Sequence, residues 1–288
     1  MDQYKTIEVV HQDGVDWLWL NRPDALNAIT TEMVTELRAY FDSLMENPDT
    51  RVVVMGGRGR AFCAGLDIKA ASDPENVRPF GQGMGFQGYL AEVYIKMRRC
   101  PQPIISMLQG PACGGGFAFA LASDVRIASS NVRMNAAFIK LGLSACDMGT
   151  SYFLPRLVGT TVAAELMLTG RFIEADRALA TNLVSQVVPE ADLVAAAQAF
   201  ADDMLLTSPM GLRLTKEGLN LAVDAALENN SLGGRMIGGG FGGSAIALFK
   251  VADIAQAKRA IAEAFKEAGF TEPRFFTSLP SAGASVTN

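Results

Sequence analysis

The sequence predicts an α/β domain with parallel strand pairing, followed by a mostly helical stretch and a small α+β tail. Three observations carry this. Short apolar runs alternate with helical periodicity over residues 7–128, the order expected when strands pair in parallel beneath crossover helices. After Gly159 the periodicity is helical, with one strand-like run at 183–188. Past Asn229-Asn230-Ser231 the composition changes, with seven glycines between Gly233 and Gly243.

Each element has a local reason. Runs 7–10 and 15–20 flank Gln12-Asp13-Gly14, and Asp-Gly between apolar runs signals a hairpin. Arg22-Pro23 ends the second strand. Thr30 or Thr31 can N-cap a helix with Met33, Val34, Leu37, Phe41 and Leu44 on one face. Asn47-Pro48-Asp49 stops it, and 51–55 reads as a buried strand. Residues 72–88 are polar and rich in Gly and Pro, a loop signal. A helix is expected from Tyr89 to Arg99, a strand at 103–108, and another at 124–128 after the apolar run 117–122. Further helices are expected at 161–168, 174–180, 191–206 and 211–227.

Composition narrows the chemistry. The chain has 288 residues, 49% hydrophobic and 19% charged, with a net charge of −5. Nothing basic is clustered in the manner of a nucleic-acid or anionic-membrane partner. No apolar run approaches the ~18 residues of a membrane span, and the first residues carry no signal-peptide pattern. The expectation is a cytoplasmic protein. The four cysteines show no CxxC spacing and read as reduced thiols. His11 is the one histidine, so a site with two His ligands is excluded within one chain and no metal site is expected.

The 28 glycines concentrate where chemistry is possible. In Phe62-Cys-Ala-Gly-Leu-Asp-Ile68, small residues after a strand let backbone approach a ligand. In Gly110-Pro-Ala-Cys-Gly-Gly-Gly116 a strand gives way to a helix whose first N–H groups lack intrahelical acceptors. Two such amides converging from separate loops form an oxyanion hole. Each turn alone reads equally well as a steric necessity.

Taken in order, the motifs are more specific. They are Leu20-Asn-Arg-Pro-Asp-Ala-Leu-Asn-Ala28, Arg60-Ala-Phe-Cys-Ala-Gly-Leu-Asp-Ile-Lys69 and Gly110-Pro-Ala-Cys-Gly-Gly-Gly116. Ala122-Ser-Asp-Val-Arg-Ile-Ala128, Phe153-Leu-Pro-Arg-Leu-Val-Gly159 and Leu166-Met-Leu-Thr-Gly-Arg171 follow. Over residues 5–230 the chain resembles the crotonase superfamily, the enoyl-CoA hydratase/isomerase family. The resemblance implies a ββα spiral core with trailing helices, acyl-CoA thioester substrates, and a homotrimer or dimer of trimers where the altered C-terminus permits. It implies oxyanion donors at the backbone N–H groups of Leu66 and Gly115. It places the coenzyme A site along Ala25, Leu26, Ala64, Asp67 and Ile68. No cofactor is implied beyond the coenzyme A that enters with the substrate.

The departures bear on the reaction. Where hydratases of the family carry two glutamates, this chain has Ala118 and the pair Ala137-Phe138, which cannot move protons. The acid left in this part of the sequence is Asp147, in Cys146-Asp-Met-Gly-Thr-Ser-Tyr152. It resembles the third carboxylate of dienoyl-CoA isomerases, the nucleophilic Asp of 4-chlorobenzoyl-CoA dehalogenase and an Asp of naphthoate synthases. It also reads as an N-cap of the following helix, a role compatible with catalysis. Isomerase-type proton transfer is the leading reading. Hydrolase- or dehalogenase-type attack by Asp147, and non-catalytic acyl-CoA binding, remain alternatives. Asp67 reads as a brace for the oxyanion loop, the cysteines as small hydrophobes, and His11 as an exposed turn residue.

The end of the chain follows a different pattern. Gly233-Gly-Arg-Met-Ile-Gly-Gly-Gly-Phe-Gly-Gly-Ser244 and Ser281-Ala-Gly-Ala284 resemble the C-terminal end of galactokinases, in the GHMP kinase family. No P-loop accompanies them, so no kinase reading follows. The division expected is 1–230, crotonase-like, and 231–288, a galactokinase-like fragment with strands at 244–249 and 274–279 around a helix at 254–268.

Overall fold

A computed structural model describes residues 4–71, 80–228, 233–237, 244–248, 251–267, 273–275 and 277. Two compact units are present, Met1–Glu217 and Gly218–Asn288. The first opens with an antiparallel hairpin of β1 (Ile7–Gln12) and β2 (Val15–Leu20). Asp13 and Gly14 turn it with φ of 50° and 82°, the left-handed pair a two-residue hairpin needs. Helix α1 (Thr31–Ser43) is N-capped by Thr30, whose Oγ1 accepts from Met33 N at 3.2 Å. Strand β3 (Val52–Gly57), the short α2 (Ile68–Ala71), α3 (Phe80–Arg99) and β4 (Ile104–Leu108) follow. Next come β5 (Pro111–Cys113), α4 (Gly115–Ala122), β6 (Val125–Ser129) and β7 (Arg133–Asn135). The unit continues through α5 (Thr150–Thr169), β8 (Ile173–Glu174), α6 (Ala175–Ala180), β9 (Gln186–Val188), α7 (Leu193–Leu205) and the start of α8 (Pro209–Glu228).

The main sheet has the order β1-β2-β3-β4-β6-β9, parallel from β2 onward. Its central strands β3 and β4 are buried throughout and read as near-continuous apolar runs because both faces are covered. Val53 and Met55 of β3 join the core formed with α1, α3 and α4. Val52 and Val54 face the opposite way, onto Leu193, Ala197 and Ala201 of α7. The alternation of faces along a strand thus sorts one apolar run into two cores. Helix α4 is apolar on every side, and all eight of its residues are buried.

Two polar residues of the 122–128 motif anchor this core. Arg126 is buried and donates to the carbonyls of Leu183 (2.8 Å), Ser123 and Ala120, capping the end of α4. Burial pushes its guanidinium down to about 10. Asp124 accepts from Arg98 (2.7 Å) and from Ile104 N (2.9 Å), and pairs with buried Lys216 at 3.1 Å.

The structure departs from the sequence expectations in three places. The helix expected from Tyr89 begins at Phe80, inside the segment expected to be a loop. Tertiary packing outweighs the helix-breaking cost of its glycines: the Tyr89 hydroxyl lies 2.8 Å from Thr35 Oγ1, and Arg38 lies over the Tyr89 ring at 3.9 Å. Residues 72–79 lie outside the described residues. The helix expected at 161–168 is the second half of α5, interrupted at Gly159 (φ 78°, ψ 163°). The three-stranded sheet β5-β7-β8 was not expected at all.

In the second unit, β10 (Gly233–Ile237) pairs antiparallel with β11 (Ser244–Leu248). The glycine run therefore begins as a strand, because Arg235-Met236-Ile237 has Ile246-Ala245-Ser244 to pair with. Helix α9 (Ile254–Glu267) matches its expectation to within a residue. Arg274, Phe275 and Thr277 are not in a strand, and the other residues of 274–279 lie outside the described ones.

Candidate active site

Three loops build the site. The first is 20–29, where Leu26 and Asn27 both adopt left-handed backbone (φ 52° and 55°). Asparagine tolerates that region, and its amide can both accept and donate. Buried Asn27 uses both: Oδ1 accepts from Arg22 N (2.8 Å), and Nδ2 donates to the carbonyls of Arg58 (3.0 Å), Ala61 (2.9 Å) and Phe62 (3.2 Å). One side chain thereby fixes the first loop to the second.

The second loop is 62–68. Ile29 donates to Gly65 O (2.8 Å) and accepts from Asp67 N (3.0 Å), forming a parallel bridge to Leu66. In such a bridge the central partner turns its own N–H and C=O to the other side, so the Leu66 amide faces away from Ile29. Arg22 holds the far end of the loop, with both Nη atoms 3.1 Å from Asp67 Oδ2. The Asp67 carboxylate therefore braces the loop, as expected from the sequence.

The third loop is 110–116. Cys113 N donates to Cys63 O (2.9 Å) and Cys63 N to Pro111 O (3.2 Å), lacing it to the second. The first helical bond of α4 runs from Ala118 N to Gly114 O. The amides of Gly115, Gly116 and Phe117 therefore have no acceptor within the helix. A Cβ on Gly65 would lie 2.8 Å from Cys113 O and 3.6 Å from Gly115 N, so the Leu66 loop and the start of α4 run in near contact. Gly116 admits no side chain: a Cβ there would meet Cys63 O at 2.2 Å. Gly116→Ala is expected to cost about 3 kcal/mol or more, at the upper end of overpacking penalties. An unchanged urea midpoint would contradict this packing.

The coenzyme A candidates Ala25, Leu26, Ala64, Asp67 and Ile68 fall on the first two loops, which Ala64 N joins by donating to Leu26 O at 3.0 Å. Ile68 is exposed and the other four are half-buried. The ground around Gly115 is apolar. A methyl on Gly115 would meet Ile29 Cδ1 at 2.7 Å and Met148 Sδ at 3.0 Å, and one on Gly114 would meet the Phe138 ring at 3.7 Å. Ala118 and Phe138, at the two glutamate positions of hydratases, are both buried.

Asp147 is half-buried on a 3-10 turn, Asp147–Gly149, ahead of α5. Its Oδ1 accepts from Met148 N at 2.8 Å. The N-cap reading is not realised, since α5 is capped by Gly149 with no side-chain bond. Among the described residues Asp147 has no ion-pair partner, in contrast to Asp67 with Arg22. Tyr94 is close by: burial raises its hydroxyl above the usual value, and the Asp147 charge adds to that. The Cys63 and Cys113 thiols do not fit a nucleophilic role. Burial pushes Cys63 up to about 12, and Cys113 is raised by the same cause. His11 stands on the edge hairpin, 2.7 Å from the buried Asp16, and contributes nothing here.

Sequence reasoning named Leu66, Gly115 and Asp147 but missed what joins them. Asn27 had only a positional signal, its place within the 20–28 motif. Met148 (φ 49°) had none, because methionine does not ordinarily mark left-handed backbone.

A parallel sheet with interlaced glycine turns at the head of a buried helix is the crotonase arrangement. The chain belongs to the enoyl-CoA hydratase/isomerase family, whose family model matches residues 11–237. A "probable enoyl-CoA hydratase" of Mycobacterium bovis is 39% identical over 210 residues, 72% of this chain and 74% of that protein. Among solved structures, a monofunctional enoyl-CoA isomerase from M. smegmatis superposes with a TM-score of 0.65 at 34% identity. That match covers 76% of this chain and 94% of the isomerase. An enoyl-CoA hydratase from Bacillus anthracis gives a TM-score of 0.73 at 26% identity, covering 91% and 92% of the two chains. No described helix is long and apolar enough to cross a membrane.

Proposed function

We propose that this chain isomerises the double bond of an enoyl-CoA thioester. The amides of Leu66 and Gly115 receive the thioester oxygen and stabilise the enolate that forms. Asp147 takes the proton from the carbon next to the carbonyl of a 3-enoyl-CoA and returns it two carbons further along, which leaves the 2-enoyl-CoA. The observation that carries this reading is the placement of carboxylates. Both hydratase glutamate positions are buried apolar residues, Ala118 and Phe138. Asp147 stands on the turn whose next residue, Met148, packs on Gly115. One carboxylate suffices to remove and return one proton, whereas addition of water must also activate the water. The homotrimer and the galactokinase-like origin of the tail belong to the same reading, and no phosphoryl transfer is assigned to the tail.

Incubating the full chain with 2-enoyl-, 3-enoyl- and dienoyl-CoA thioesters tests it. The expected result is interconversion of double-bond isomers without accumulation of 3-hydroxyacyl-CoA. Predominant 3-hydroxyacyl-CoA, or binding without turnover of any substrate, would overturn the isomerase assignment.

A further inference from the structure

We propose that Met148 is the positioning residue of this site, and that its thioether limits branching of the acyl group beside the thioester carbonyl. The inference rests on the reading of Gly115 as oxyanion donor and Asp147 as acid/base. Met148 touches both. Through its backbone N–H it holds Asp147 Oδ1 at 2.8 Å. With its side chain it covers Gly115, Sδ and Cε lying 3.0 and 3.4 Å from where a Cβ would stand.

Its backbone is left-handed, at φ 49° and ψ 36°, a conformation that an unbranched L-residue adopts uncommonly and a β-branched one hardly at all. Gly149 follows with φ of 74°. This reversal lets consecutive residues diverge: Asp147 remains half-exposed while Met148 is 6% exposed and belongs to the core. One buried side chain thus links the turn that carries the carboxylate to the start of α4. An unbranched thioether suits that task, because it fills an irregular gap without a fixed branch. With the thioester oxygen on the Gly115 amide, the same atoms, with Ile29 Cδ1 at 2.7 Å from the Gly115 Cβ position, would border the carbon next to the carbonyl. A substituent on the adjacent carbon would have to displace them.

Two readouts test the proposal on the full chain, with Met148→Ala and Met148→Leu. Calorimetric binding of butyryl-CoA and isobutyryl-CoA, saturated thioesters that cannot isomerise, reports the wall without turnover. Wild type is expected to favour the straight chain, Met148→Ala to erode that preference by about tenfold, the scale of one methyl in a shaped pocket, and Met148→Leu to restore it. An identical preference in all three proteins would overturn the wall. With 3-enoyl-CoA, Met148→Ala is expected to lower kcat by about tenfold or more, with KM nearly unchanged, since misplacement of a reacting group acts on the chemical step. Parallel losses in kcat, KM and thermal midpoint would reduce Met148 to a packing residue and overturn the positioning role. Failure of wild type to bind either thioester would instead sink the underlying thioester reading, a result distinct from both.

Discussion

Asp147→Asn is expected to lower kcat for enoyl-CoA isomerisation by about 10²–10⁴-fold, the contribution of a positioned general acid or base. The change is close to isosteric. The amide oxygen can still accept from Met148 N, the bond that now holds Oδ1 at 2.8 Å. Among the described residues no cation pairs with Asp147, so no buried charge is orphaned, and stability should move by no more than about 0.5 kcal/mol. Binding of a saturated acyl-CoA should be retained, because the Leu66 and Gly115 amides are untouched. The decisive measurement is kcat with a 3-enoyl-CoA beside that binding constant. An enzyme that keeps more than about a tenth of its rate does not use Asp147 for proton transfer. The competing nucleophilic reading makes a separate prediction, a covalent mass increment on Asp147 of the wild type during turnover, and isomerisation predicts none.

What the sequence revealed and what it concealed divide along the range of the interactions. The β1–β2 turn, the Thr30 cap and the apolar α4 rest on neighbours within a few residues, and all three were legible. The glycines at 65 and 114–116 were legible as punctuation, yet their necessity arises between loops: Gly116 is forced by Cys63, and Gly65 by Cys113. Asn27 gathers carbonyls from Arg58, Ala61 and Phe62, and no local pattern announces that. The strands β5, β7 and β8 are two or three residues long, too short to show alternation. Glycines disguised the first turns of α3 and all of β10, because intrinsic propensity is a weak prior against tertiary packing. For Asp147 the sequence offered a helix cap beside a catalytic role, and the cap is not realised because of which amide the carboxylate meets. It meets that of its own neighbour, Met148, and not one in the first turn of α5.

A large effect on stability is expected at Asp124, well away from the proposed chemistry. Asp124→Ala removes the carboxylate that faces Lys216 at 3.1 Å and Arg98 at 2.7 Å and that also accepts from Ile104 N. Lys216 is 3% exposed. Stripping its counter-charge leaves a buried ammonium, at a cost of about 3–5 kcal/mol. The lower part of that range is expected, since the carbonyls of Met97 (2.9 Å) and Gln102 (2.8 Å) still accept from Nζ. Burial alone would raise the Asp124 carboxyl. The Lys216 and Arg98 charges and the Ile104 amide outweigh burial, and the carboxyl sits below its ordinary 3.8. The sign for pH follows. The folded carboxyl binds its proton less readily than the unfolded one, so its stabilisation is complete above the unfolded value of about 3.9. It is lost as pH falls through the lower folded value. Wild type should therefore lose stability in acid over that window, and Asp124→Ala should show less of that loss. If the penalty is the orphaned charge rather than the lost bonds, Asp124→Ala with Lys216→Met should be more stable than Asp124→Ala alone. Urea denaturation of the four proteins, at neutral pH and again near pH 3, separates the two accounts: a double variant no more stable than Asp124→Ala would place the energy in the hydrogen bonds of Arg98 and Ile104 instead.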